Sequence, residues 1–179
     1  TNSTKALLYC LATVGIWSTV ASAFKISLRH LDPIQLLLCA CTVSLLVLGS
    51  ILVVQGKITA LRHLSARQYL FAAGMGVLNP FLYYIILFKA YDLLPAQEAQ
   101  PLNYTWAITL SILSVPLLGQ RLRFKEVVAI LISYAGVLII STHGQILSLN
   151  FSNPMGVALA LTSTIIWALY WIGNTKSTI

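Results

Sequence analysis

The chain predicts an all-α polytopic membrane protein of six spans, and three observations carry that expectation. Its hydrophobicity comes in blocks of about 20 residues, the length a helix needs to cross the hydrocarbon core. Of its 179 residues, 58% are hydrophobic and only 8% charged, against roughly 25% charged in ordinary soluble domains. The blocks fall at 6–25, 34–55, 69–91, 95–118, 125–142 and 156–174, leaving almost no chain for a soluble domain. The third observation is the placement of the basic residues. Lys5, Lys57, Arg62, Arg67, Arg121, Arg123, Lys125 and Lys176 fall on one side of such a bundle and Lys25, Arg29 and Lys89 on the other, eight against three. The positive-inside rule then puts the N-terminus and the end of the sixth span in the cytoplasm. The net charge of +7 is therefore a topology signal; no interleaving of basic and aromatic residues points to nucleic acid.

In the first span Gly15, Thr19 and Ala23 recur every four residues, small enough to let another helix approach closely. Trp17 stands mid-span, and its indole N–H requires a partner; packing and lining a cavity are both open to it. Lys5, the apolar run and Ala21-Ser22-Ala23 imitate a cleavable leader, but the run is long and five more spans follow, so the segment reads as a retained span. Asn2-Ser3-Thr4 fits a glycosylation sequon, which carries no meaning on the cytoplasmic side. Asp32-Pro33 turns the chain into the second span, whose few hydroxyls leave it facing lipid. The 56–68 connection carries His63, read as a solvated residue because no second histidine stands at ligand spacing.

The third span is interrupted by Gly74, Gly76 and Asn79-Pro80. Pro80 cannot donate to the Gly76 carbonyl, so a kink is expected there. Gly76, Asn79 and Tyr83 share a face, and broken helices of this kind can offer backbone groups to a substrate.

The fourth span organises the rest. Its first half carries Gln97, Glu98, Gln100, Asn103 and Tyr104, and polar groups at membrane depth belong against other helices or a water-filled cavity. At 100° per residue, Gln97, Gln100, Asn103, Tyr104, Ser111 and Ser114 form one sector and Glu98, Thr105 and Thr109 a second. Ala99, Leu102, Trp106, Leu110 and Leu113 make the apolar face, suited to lipid or an apolar neighbour. Pro101 leaves the Gln97 carbonyl without its helical donor, so a bend is expected beside Glu98. Glu98 itself is a candidate for proton coupling or for holding an ammonium group.

Leu118 to Glu126 makes a short basic turn, and the fifth span, with Ser133-Tyr134-Ala135-Gly136, reads as packing up to His143-Gly144. Asn153-Pro154 starts the sixth. A shift of 150 residues aligns Leu11 with Leu161, Ile16 with Ile166, Trp17 with Trp167 and Ser27 with Ser177. A repeat of five spans has odd parity, so its next copy is inverted, as in many secondary transporters. Trp167, Tyr170 or Trp171, and Asn174 form a stripe on this helix, placing Trp167 and Trp171 on a cavity wall.

Cys10, Cys39 and Cys41 all fall within spans and read as small apolar fillers, with no disulfide framework and no metal spacing. An intramembrane enzyme needs a nucleophile with its base, or a carboxylate pair. Glu98 is the acidic residue well inside the spans, and no histidine accompanies it in the sequence. No phosphate-binding glycine loop is present, and no cofactor is expected.

The run from Leu94-Pro95-Ala96 through Leu118-Gly119-Gln120-Arg121-Leu122, and a fifth helix ending Gly136-Val137-Leu138-Ile139, resemble the first repeat of an EamA-type transporter of the drug/metabolite transporter superfamily. Trp17, Lys25 and Leu31-Asp32-Pro33 fit the same pattern, and Asn103-Tyr104-Thr105-Trp106 is similar to a segment of the aromatic amino-acid exporter branch. The resemblance implies ten helices in two inverted five-helix repeats, here 1–145 as the first repeat and 146–179 as the start of the second. It implies a multi-pass protein of the bacterial inner membrane that moves a small-molecule substrate outward, with a C-terminal repeat as partner. It also places Trp106 near the site, whereas helical phase places it on the apolar face. Gln120 departs from the glutamate that commonly follows glycine there. The expected function is secondary transport of amino acids or related metabolites by alternating access, with efflux of lipophilic cations and a non-transporting scaffold as alternatives.

Overall fold

The computed structural model describes residues 2–144 and 152–177. Among them the regular structure is helical throughout. Six helices follow in order: α1 (Thr4–Ser27), α2 (Pro33–Val54), α3 (Ala66–Leu93), α4 (Ala96–Leu118), α5 (Phe124–Ser141) and α6 (Pro154–Lys176). All but α5 meet both the length and the apolarity needed to cross a membrane. α5 has 18 residues, with Lys125 and Glu126 at its start. The chain is a multi-pass membrane protein.

Local chemistry sets the helix ends. Asp32 and Ser65 build capping boxes with Gln35 and Gln68 at the starts of α2 and α3, each satisfying backbone donors that the first turn leaves unpaired. Asn153 accepts the Gly156 N–H at 3.0 Å and Pro154 takes the first helical position of α6. Gly119, at φ +70, terminates α4 in the left-handed conformation that glycine adopts without strain.

The core lies where the second half of α3, the first half of α4 and α6 meet, around Leu87, Ala90, Leu94, Ala99, Leu102 and Ala160. Lipid tails are as apolar as leucine, so close packing and interhelical hydrogen bonds hold such helices together. Ala90, Ala99 and Ala160 are fully buried, which lets the backbones approach. α2 exposes Leu38, Leu45, Leu46 and Val54, in line with a lipid-facing helix. Ala99 and Leu102 of the predicted apolar face of α4 meet protein, not lipid. Cys10 and Cys39 are exposed and fill no core, a departure from the sequence reading.

Three helices are interrupted. α1 breaks at Thr19, whose N–H turns to the Ile16 carbonyl at 3.2 Å. α3 widens into a π turn over Val77–Leu82, with Asn79 extended at φ −146, ψ 118; the residue before a proline is driven out of the helical region. α4 breaks at Thr105, whose N–H bonds the Leu102 carbonyl at 3.2 Å. The interruption expected beside Glu98 is therefore found one turn beyond Pro101. α6 runs unbroken.

α6 docks against the two-residue α3–α4 connection, and a Cβ on Gly156 would stand 2.6 Å from Leu94 Cγ. Leu94 is fully buried, so there is no room to yield. Gly156→Ala is expected to lower unfolding free energy by about 1–3 kcal/mol through overpacking, read as earlier thermal unfolding in detergent; an unchanged midpoint would show that this contact is loose.

Candidate functional site

The interrupted helices and α6 enclose a cavity of about 260 Å³. Trp17 lines it from α1, Tyr83 from α3, Gln100, Asn103, Tyr104 and Trp106 from α4, and Trp167 and Trp171 from α6. α3 adds Tyr84 and Tyr91, and α1 adds Phe24. The rings also touch one another. Trp167 lies 4.7 Å from Tyr83, 6.1 Å from Trp106 and 6.3 Å from Trp171 between centroids, within the range where aromatic pairs attract. Trp17 remains 51% exposed, so its part of the wall is open.

The polar groups of the wall divide into engaged and available. Asn103 donates to Tyr83 Oη at 3.1 Å and to Ser163 Oγ at 3.2 Å, tying α4 to α3 and α6. Tyr91 Oη donates to Gln100 Oε1, which leaves the Gln100 amide nitrogen to donate. Trp167 Nε1 is buried without an acceptor among the described residues. An unmet buried donor is costly unless something occupies it. None of the lining side chains is charged.

The family model for EamA-like transporters matches residues 4–142. The chain belongs to the EamA-like transporter family. An uncharacterized transporter of Archaeoglobus fulgidus is 27% identical over 158 residues, covering 88% of this chain and 53% of that protein. The chain thus spans about half the length of this curated relative. No solved structure matches it. EamA-like proteins are membrane transporters and not enzymes.

Within this EamA-like chain, three residues nominated from sequence stand off the cavity. Gln97 is exposed. Asn79 lies at the α3 kink with Oδ1 buried and without a partner among the described residues, outside the cavity lining. Glu98 is 3% exposed and faces elsewhere: Ser152 Oγ donates to its Oε2, and His143 Nε2 lies 3.2 Å from its Oε1. A histidine does accompany Glu98, supplied by the end of α5 rather than by any sequence neighbour. The predicted polar stripe of α4 also divides. Ser111 and Ser114 line a separate cleft against α5 with Gln120, Arg121 and Glu126, because the turn at Thr105 shifts the helical phase of everything after it. The same shift brings Trp106 onto the cavity wall. The second sector meets α6, through Thr109 and Thr164 hydroxyls 2.9 Å apart.

Sequence reasoning missed Tyr84, Phe24 and Tyr91, although Tyr84, Phe88 and Tyr91 recur at i, i+4 and i+7, a legible helical stripe. It also missed what Lys25 does. Lys25 Nζ donates to the carbonyls of Tyr91, Asp92 and Leu94 at 2.5, 3.3 and 2.8 Å. Those carbonyls end α3, where the helix leaves acceptors unpaired and the dipole favours a cation. Lys25→Met retains the apolar stem and removes the donors; a loss of about 1–3 kcal/mol is expected, as for hydrogen bonds to a charged group. Chemical unfolding in detergent reads it, and an unshifted midpoint would assign Lys25 to solvent.

Proposed function

We propose that this EamA-like chain forms the substrate-holding part of a secondary transporter that exports amino acids or related small metabolites. The observation that carries this reading is the uncharged aromatic cavity between α1, α3, α4 and α6. Ring faces hold apolar side chains and attract an ammonium group, worth up to about 2 kcal/mol when desolvated. Gln100 and Trp167 supply N–H donors for a carboxylate. A volume of about 260 Å³ is below the roughly 300–1,000 Å³ of pockets for drug-sized ligands. That favours a small metabolite over multidrug efflux, as does a wall without a carboxylate to meet a lipophilic cation.

Alternating access is supported by where the helices break. Thr19, the Val77–Leu82 turn and Thr105 each adjoin a cavity residue, Val20, Tyr83 and Trp106 respectively. Interrupted helices absorb backbone rotation at such points. In this reading residues 1–145 are the first five-helix repeat and 146–179 begin an inverted second, which completes the transporter in the inner membrane of a bacterium. The length of the Archaeoglobus relative is consistent with that.

Trp17→Leu and Trp167→Leu keep apolar bulk but lose the π face and the N–H. Each should weaken substrate binding by about 0.5–1.5 kcal/mol, roughly 2- to 12-fold in Kd, read by tryptophan quenching in the intact protein. Unaltered affinity in both would make these rings packing residues. The basic 56–68 connection should lie in the cytoplasm: a cysteine at Lys57, with Cys10, Cys39 and Cys41 replaced by alanine, should react with an impermeant maleimide only after the membrane is opened. Labelling on intact cells would invert the topology.

A further inference from the structure

We infer that Glu98, His143 and Ser152 form a proton-binding site separate from the aromatic cavity, with His143 as its port to water. Glu98 is on the first turn of α4, 3% exposed. The His143 side chain, by contrast, is 60% exposed while its Nε2 lies 3.2 Å from Glu98 Oε1. An exposed imidazole in contact with a buried carboxylate is the arrangement needed to pass a proton between them. The ring takes a proton from water, and Nε2 delivers one to Oε1, leaving a neutral imidazole and a carboxylic acid. Ser152 Oγ donates to Oε2, so the second carboxyl oxygen keeps its partner in either state.

Lys25, Lys89 and Asp92 of the neighbouring helices are engaged elsewhere. From α1, Lys25 holds the carbonyls that end α3. From α3, Lys89 and Asp92 pair with each other at 2.7 Å. From α5, His143 faces Glu98, and from the start of α6 its described partner is the uncharged Ser152. With one proton on the pair, the group is neutral either as an ion pair or as acid and imidazole. Without it, a neutral imidazole in its Nε2–H form still donates to Oε1 while Ser152 donates to Oε2. Glu98 is two residues from Gln100 and five from Asn103, on the same continuous helical segment as these cavity residues. That gives proton occupancy a route to the cavity. A coupling role rests on the transporter reading above; the proton site itself does not.

The test is the pH-difference infrared spectrum of the intact purified protein without substrate, alongside tryptophan quenching by amino acids. Glu98→Gln keeps the shape and can still accept from Ser152; His143→Asn suits a residue at φ +52, since asparagine tolerates that conformation. The wild type should show a titrating carboxyl signal that Glu98→Gln abolishes. His143→Asn should abolish the accompanying imidazole signal and shift the carboxyl one, while both variants retain the quenching of the wild type. Wild-type spectra in both variants would overturn the proton site. Absence of quenching in the wild type would instead count against the cavity as substrate site and leave the infrared result to stand alone.

Discussion

The connection between α3 and α4 is two residues long, and everything near the cavity depends on how it is held. Leu94 is fully buried there. Lys25 grips its carbonyl from α1, and Gly156 brings the start of α6 against its side chain. A cation on the end of a helix and a glycine beneath a leucine are different forces, one electrostatic and one steric, directed at the same point. Because Tyr91 precedes this turn and Gln100 follows it, their hydrogen bond can form only where the turn fixes the angle between the two helices. The aromatic wall inherits that angle.

Around this fixed point the bundle contrasts one continuous helix with three broken ones. α6 carries Ser163 and Thr164 as hydrogen-bond partners for α4 and presents Trp167 to rings from α3 and α4. α1, α3 and α4 each lose regular hydrogen bonding next to a cavity residue. Such a design concentrates irregular backbone at the level of the cavity while the α3–α4 turn remains pinned, and it separates an uncharged aromatic cavity from the ionisable pair Glu98–His143.

Much of the fold was legible in the sequence because span length and apolarity are one-dimensional properties. The kink at Pro80 was legible for a similar reason: proline's effect is local. The rings of the wall were partly legible, since Trp17, Tyr83 and Trp167 are large amphipathic groups at membrane depth. Three features were hidden, each for a physical reason. Trp106 was misplaced by phase because a tightened turn at Thr105 breaks the 100° progression that phase assumes. The partners of Glu98 come from the end of α5 and the approach to α6, a closure no local spacing records. Lys25 entered the sequence reading only through the charge count and the family resemblance, yet its reach to Tyr91 and Leu94 spans 66 and 69 residues of sequence.

The central claim is that the aromatic cavity between α1, α3, α4 and α6 is where substrate resides. The most direct test is a structure of the intact protein in lipid with an amino acid that raises its thermal stability. The account predicts ligand density between Trp17, Tyr83 and Trp167, with Gln100 and the Trp167 N–H turned toward its polar end. Ligand bound elsewhere, with those rings closed on one another and the Trp167 N–H still unpaired, would contradict it.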